Sequence, residues 1–190
     1  TGMLVAARSI PAHPETRSEV VTPMAASASS AWLASSVGLQ SYDLTRQING
    51  SPRGYSGSPT ALTALALGTS QVWVGGAAGI ERYDIAGASW SSWNASTTTD
   101  VATGQLVSND VRALAVTRPT IAGVARDVIW IATAAGVSRY DTSLRSFTTF
   151  TMADGLPNNS IRAVVTLGSG ELVFGTDDGL AIYRPQDIRV

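Results

Sequence analysis

Short apolar runs alternate with turn-forming residues along the chain, and none is long enough to be a helix on its own pattern. The segments "LTALAL" (Leu62–Leu67), "VRALAV" (Val111–Val116) and "IRAVVT" (Ile161–Thr166) are rich in Ala, Leu and Val and carry little charge. Each precedes a second run centred on a Trp or its counterpart, and then a third that ends in Tyr. In two places a fourth follows, with aromatics three residues apart: "SWSSW" (Ser89–Trp93) and "SFTTF" (Ser146–Phe150). Nowhere do apolar residues recur at i, i+3, i+4 and i+7 over ten or more positions, so the pattern predicts strands and almost no helix.

The runs form a repeat. "WLASSVGLQSYD" (Trp32–Asp43), "WVGGAAGIERYD" (Trp73–Asp84) and "WIATAAGVSRYD" (Trp130–Asp141) share one plan, and "VFGTDDGLAIYR" (Val173–Arg184) is a worn copy. Trp32, Trp73, Trp130 and Val173 lie 41, 57 and 43 residues apart. Two of these intervals match the roughly 40–50 residues of a four-stranded propeller blade. The long one is ascribed to two loop-like stretches of small polar residues, "TTTDVATGQ" and "TRPTIAGVARD". Gly38, Gly79, Gly136 and Gly179 keep one offset, which predicts a hairpin turn with positive φ. Tyr42, Tyr83, Tyr140 and Tyr183 keep another. Asp43, Asp84 and Asp141 follow the tyrosines, where a carboxylate can accept from nearby amides and open the next turn.

The expected unit is four antiparallel strands in the order inner strand, Trp strand, Tyr strand, outer aromatic strand, with the inner strands the most buried. Units fall at about 20–50, 61–93, 111–150 and 161–190, and residues 1–19 are an orphan strand (Met3–Arg8) and loop. The last unit stops after its Tyr strand. Because both faces of each inner strand are apolar, each sheet needs a neighbour on either side, which favours a ring over an open array. The fold class is therefore all-β, a β-propeller with about four blades in this chain. It can close on itself, pair with a second copy, or be completed by another polypeptide. Membership of a larger ring of seven or eight blades is the favoured expectation.

Composition removes function classes more readily than it adds them. All thirteen basic residues are Arg and there is no Cys, so a P-loop or Schiff-base Lys, thiolate catalysis and cysteine-held metals are excluded. A net charge of −1 without a basic, aromatic stripe argues against nucleic acid. No apolar run approaches the ~18 residues of a membrane span, and no signal peptide is evident. The single histidine, His13, sits between two prolines outside the repeats, so a Ser–His–Asp triad has no placed base. The four glutamates, Glu15, Glu19, Glu81 and Glu171, show no pairing suited to glycoside hydrolysis. The expectation is a non-enzymatic chain with no cofactor and no metal.

"DGLPNNSIRAVV" (Asp154–Val165) followed by "GELVFGTDDGLAIY" (Gly170–Tyr183) resembles the two-component-regulator propeller repeat, as does "VIWIATAAGVSRYD" (Val128–Asp141). The resemblance covers most of residues 31–184. "DGLP" is intact only at Asp154–Pro157, with "GQLV" (Gly104–Val107) its degraded counterpart. It implies a propeller, commonly seven-bladed, of the kind found in periplasmic sensor regions and in surface or secreted proteins. The resulting expectation is a ligand-sensing or recognition module in the periplasm or at the cell surface; the alternative is a docking subunit of a multi-chain assembly. Expected partners are a protein or second copy completing the ring and a small polar ligand, with no nucleic acid and no membrane insertion.

Loops between blades should share one face with the Trp–Tyr turns. That makes Asn109, Asp110, Asn158, Asn159, Asp177 and Asp178 the candidate ligand-binding rim. Asp154, Asp177 and Asp178 could hold a hard cation, but Asp-Gly is also ordinary turn chemistry, and no metal is expected. Arg112 and Arg162, at one offset on two inner strands, either face the axis to meet an anion or pair with aspartates; pairing is favoured.

Overall fold

The structure, a computed structural model, describes residues 23–35, 38–56, 61–96, 104–121, 123–168 and 170–185. Its strands form three four-stranded antiparallel sheets, one of three strands and a small two-stranded one. The first sheet holds β1 (Met24–Ala26), β2 (Ser30–Ser35), β3 (Gly38–Asp43) and β4 (Ile48–Asn49). The second holds β5 (Leu62–Leu67), β6 (Gln71–Gly76), β7 (Gly79–Asp84) and β8 (Ser89–Trp93). In the third, β9 (Val111–Thr117) pairs with β12 (Val128–Thr133), which pairs with β13 (Gly136–Asp141) and then β14 (Ser146–Phe150). The fourth is β15 (Ile161–Thr166), β16 (Leu172–Thr176) and β17 (Gly179–Tyr183). Within each sheet the strands follow chain order, as hairpin connections require. Inner strand lies beside inner strand down the chain, β1 by β5, β5 by β9 and β9 by β15. The architecture is a run of four propeller blades. The only helical turn among the described residues is a short 3-10 segment at Met152–Asp154.

The repeated letters have repeated physical roles. Each Trp lies on the face of its sheet turned toward the next sheet, where it meets that sheet's Tyr. Ring centroids are 6.2 Å apart for Trp32–Tyr83, 5.4 Å for Trp73–Tyr140 and 4.6 Å for Trp130–Tyr183. The outer aromatic strand adds a second ring to the joint, Trp93 on Trp73 at 5.6 Å and Phe150 on Trp130 at 5.9 Å. Aromatic pairs at these separations contribute about 0.5–1.5 kcal/mol each beyond burial. An Arg just before the Tyr caps the Trp on its own sheet: Arg82 lies over Trp73 at 6.0 Å and Arg139 over Trp130 at 5.8 Å.

Linkers between sheets also repeat a role. Tyr55, Leu106 and Leu156 each plug one of the three joints. Leu156 is the Leu of "DGLP" and Leu106 that of "GQLV", which accounts physically for that motif. Polar residues two positions after the hairpin Gly hold the incoming linker. The carboxylate of Glu81 accepts from the Ser56 amide at 3.2 Å, and Ser138 Oγ accepts from the Val107 amide at 2.9 Å.

The hairpin glycines have φ of +143° (Gly38), +111° (Gly79), +136° (Gly136) and +128° (Gly179), as the spacing predicts. The turn aspartates also behave as expected. Asp43 accepts from the amides of Thr45 and Arg46 at 2.9 and 2.8 Å, Asp84 from Gly87 at 2.6 Å, and Asp141 from Ser143 and Leu144 at 2.9 and 3.1 Å.

Two expectations need correction. The inner strands are not the most buried: β9 is half-buried over most of its length and β15 mostly exposed, whereas β6 and β12 are buried almost throughout. An inner strand is a sheet edge, while β6 and β12 are each flanked by a strand on either side and a sheet on either face. Part of the long insertion is also more than a loop. Thr120–Ile121 (β10) and Val124–Ala125 (β11) pair as a small hairpin between β9 and β12. The orphan strand at Met3–Arg8, His13 and most of "TTTDVATGQ" lie outside the described residues.

Candidate functional site

The polar residues expected to form a rim meet at the end of the sheets where β9 and β15 begin. Asn109 and Asp110 sit just before β9, Asn158 and Asn159 just before β15, and Asp177 and Asp178 in the turn between β16 and β17. Arg112 and Arg162 are the second residues of β9 and β15, so consecutive inner strands carry them side by side.

Arg112 donates from Nε and Nη2 to Asp110 Oδ2, at 3.2 and 3.0 Å, and from Nη1 to Ser160 Oγ at 2.8 Å. Arg162 donates from Nε and Nη2 to the two carboxylate oxygens of Asp177, at 2.7 and 3.1 Å. Both arginines therefore pair with aspartates. Bidentate geometry makes the second pair the stronger, although it is well exposed. The Arg162 guanidinium, followed by the Ser160 side chain, holds the Asp177 carboxyl down at about 2, and Arg162 is correspondingly raised. Asp110, Arg112, Ser160, Asp177 and Arg162 thus make one row of alternating acceptors and donors across two blades.

The other rim residues divide between this row and local structure. Asn158 Nδ2 donates to Asp178 Oδ2 at 2.7 Å, extending the row, while Asn158 Oδ1 accepts from the Ser160 amide at 2.7 Å. Asn109 Oδ1 accepts from the Ala95 amide at 2.6 Å, and Asn159 Oδ1 from the Met152 amide at 2.7 Å, so these two fasten loops. Asp154 closes a capping box with Thr151 rather than facing Asp177 and Asp178. Among the described residues no group of acidic or histidine side chains has the geometry to hold a metal ion.

A second polar concavity, of about 190 Å³, opens at the opposite end between the second and third sheets. Thr69, Ser70 and Gln71 line it from one side, and Arg118, Arg126, Asp127 and Thr142 from the other. Asp127 ties the inserted hairpin to the second sheet: its carboxylate accepts from the Thr69 amide at 2.6 Å and from Thr69 Oγ1 at 3.0 Å. Arg118 lies 3.6 Å from the same carboxylate and Arg126 3.9 Å from the buried Asp141. Both charges are therefore matched within the chain. Sequence reasoning missed this cluster, whose one signal is that the inserted "TRPTIAGVARD" concentrates Arg and Asp.

Comparison with known proteins supports the fold. No family model matches the chain, and no curated protein does. Among solved structures it is similar to the extracellular domain of the hybrid two-component-system protein BT3049 from B. thetaiotaomicron, at 20% identity and a TM-score of 0.57 over 90% of this chain and 24% of that one. It is also similar to streptogramin B lyase, at 13% identity and a TM-score of 0.57 over 88% of this chain and 55% of that one. The computationally designed Ika4 protein is similar at 16% identity and a TM-score of 0.58, over 89% and 93%. The chain spans about a quarter of the BT3049 domain. At these identities the shared property is the bladed all-β fold, which an extracellular domain of a two-component-system protein, a lyase and a designed chain all use.

Proposed function

We propose that the chain is a non-catalytic recognition module acting outside the cytoplasm, and that it binds a small polar ligand across the rim of inner-strand ends. The observation that carries this is the row Asp110–Arg112–Ser160–Asp177–Arg162. It presents donors and acceptors in alternation, is drawn from two adjacent blades, and is open to solvent along much of its length. Such a row suits a molecule with several hydroxyls and one carboxylate, because hydroxyls can donate to the aspartates and the carboxylate can accept from a guanidinium. The similarity to an extracellular domain of a two-component-system protein supports the compartment and the sensing role. Among the described residues no helix is long and apolar enough to cross a membrane.

Calorimetric titration with glucuronate, and with glucose as its neutral counterpart, tests the reading. Glucuronate should bind, and Arg112→Ala and Arg162→Ala should each weaken it at least about tenfold, the loss of one charge-assisted hydrogen bond. Equal binding by wild type and both variants would remove the rim from the proposal, and chemical turnover of either sugar would remove its non-catalytic part. A second reading, a docking subunit within an assembly, is favoured by the apolar outer face of the fourth sheet.

A further inference from the structure

We infer that the free face of the fourth sheet closes on the free face of the first sheet of a second copy of this chain, so that two chains complete one eight-bladed ring. The inference does not depend on the rim.

All three joints inside the chain have the same polarity. The Trp-strand face of one sheet receives the Tyr-strand face of the next, and the two ring systems meet at 4.6–6.2 Å. This leaves one unused half at each end. On the fourth sheet the outward face carries Val165, Val173 and Ile182 in one register row, and Ala163, Gly175 and Leu180 in the next. Val165, Leu180 and Ile182 are 57%, 71% and 55% exposed, whereas the corresponding Ala115, Val137 and Arg139 of the third sheet are covered or half-covered. Val173 stands where the other sheets have Trp, and Ile182 where two of them have the capping Arg, so this face is more apolar than its interior counterparts. An apolar face of this kind, left open, is an interaction site or a hazard.

The first sheet has the other half. Tyr42 occupies the position of Tyr83, Tyr140 and Tyr183 and lies on the face turned away from the second sheet, opposite Ala31 and on the same face as Leu33 of β2 and Met24 of β1. Met24 is 62% exposed. Among the described residues the inner strands run β1, β5, β9, β15, with β1 packed on β5 and β15 on β9, so the two halves sit at opposite ends of the run. A second copy supplies both missing halves at once. Head-to-tail pairing of two four-blade chains forms two identical joints related by a two-fold axis, and the second joint closes within an already associated pair.

Light scattering on the full chain should give twice the 19.7 kDa of one copy. Leu180→Asp and Tyr42→Asp, on opposite halves of the joint, should each yield monomers that keep a β-sheet circular dichroism spectrum. A dimer that tolerates Tyr42→Asp but not Leu180→Asp would mean two fourth sheets meeting face to face, which overturns the inference. A single-copy mass at every accessible concentration also overturns it. The chain has no cysteine of its own, so the double variant Tyr42→Cys/Val173→Cys reads the register directly. A bismaleimide of about 10 Å span, the separation of sheets packed face to face, should give a covalent dimer and nothing larger. An internal cross-link in a single chain would instead show a four-bladed ring, a ladder of multimers would show an open array, and the absence of any link would remove the proposed register; each overturns the inference.

Discussion

The third and fourth sheets are built from the same twelve-residue phrase and live in different surroundings. "WIATAAGVSRYD" folds into β12 and β13, buried at nearly every position, while "VFGTDDGLAIYR" folds into β16 and β17 with the same register and turn but with one face open. Gly136 and Gly179 have almost the same φ, yet a Cβ on Gly136 would come within 2.6 Å of the Phe150 carbonyl oxygen, and one on Gly179 would meet nothing within 4 Å. The difference is the outer strand β14, which crosses the hairpin of the third sheet and has no counterpart among the described residues of the fourth. The phrase specifies a hairpin, and the neighbours decide how much each of its residues matters.

Substitution at matched positions can break this comparison. The largest effect is expected at the Trp position. Trp130→Ala removes a buried ring in contact with Phe150, Phe174 and Tyr183 and should cost about 3–5 kcal/mol in chemical denaturation. Val173→Ala, on the half-covered equivalent, should cost about 1 kcal/mol. Equal losses would mean that the two sheets are equally covered in solution.

A smaller gap is expected at the hairpin glycines. Gly179→Ala meets only the conformational strain of positive φ, about 1–3 kcal/mol. Gly136→Ala adds a backbone collision that β14 cannot easily relieve, worth a further ~1–3 kcal/mol. Should Gly179→Ala prove as damaging as Gly136→Ala, a strand must cover the fourth hairpin as β14 covers the third.

The smallest effect concerns the exposed Arg162–Asp177 pair and is best read as a titration. The folded-state value of Asp177, about 2, lies below the ordinary aspartate value near 3.9. The stabilisation from this pair is therefore present above that ordinary value and is lost as pH falls through about 2. Carboxyl NMR should place the Asp177 midpoint at about 2 in the wild type. Arg162→Ala should move it up toward the ordinary value, with Ser160 and Arg112 retaining part of the depression. An unmoved midpoint would show that the pair does not form in solution.

Much of this was legible in the chain. Period, strand order, the positive-φ turn at Gly136 and the amide-accepting Asp141 all follow from local rules, because a hairpin satisfies its hydrogen bonds within about twenty residues. The gathering of Asp110, Asp177 and Asp178 at one end was also readable, since inter-blade linkers and Trp–Tyr turns must emerge on the same side. Several things were not readable. One is the pairing of Arg112 with Ser160, 48 residues away. Others are the clamp of Asp127 on Thr69 and the exposure of β15. Each is fixed by how blades sit side by side.

The sequence by itself determined the blade: short-range periodicity and turn chemistry leave one low-energy way to fold each copy. Only the tertiary structure decided that Trp faces forward and Tyr backward, that the Trp strands β6 and β12 are more buried than the inner strands, and that one apolar face is left over. Those facts depend on which sheet lies against which. Burial is a property of the stack, and no single copy of the phrase contains the information about its neighbour.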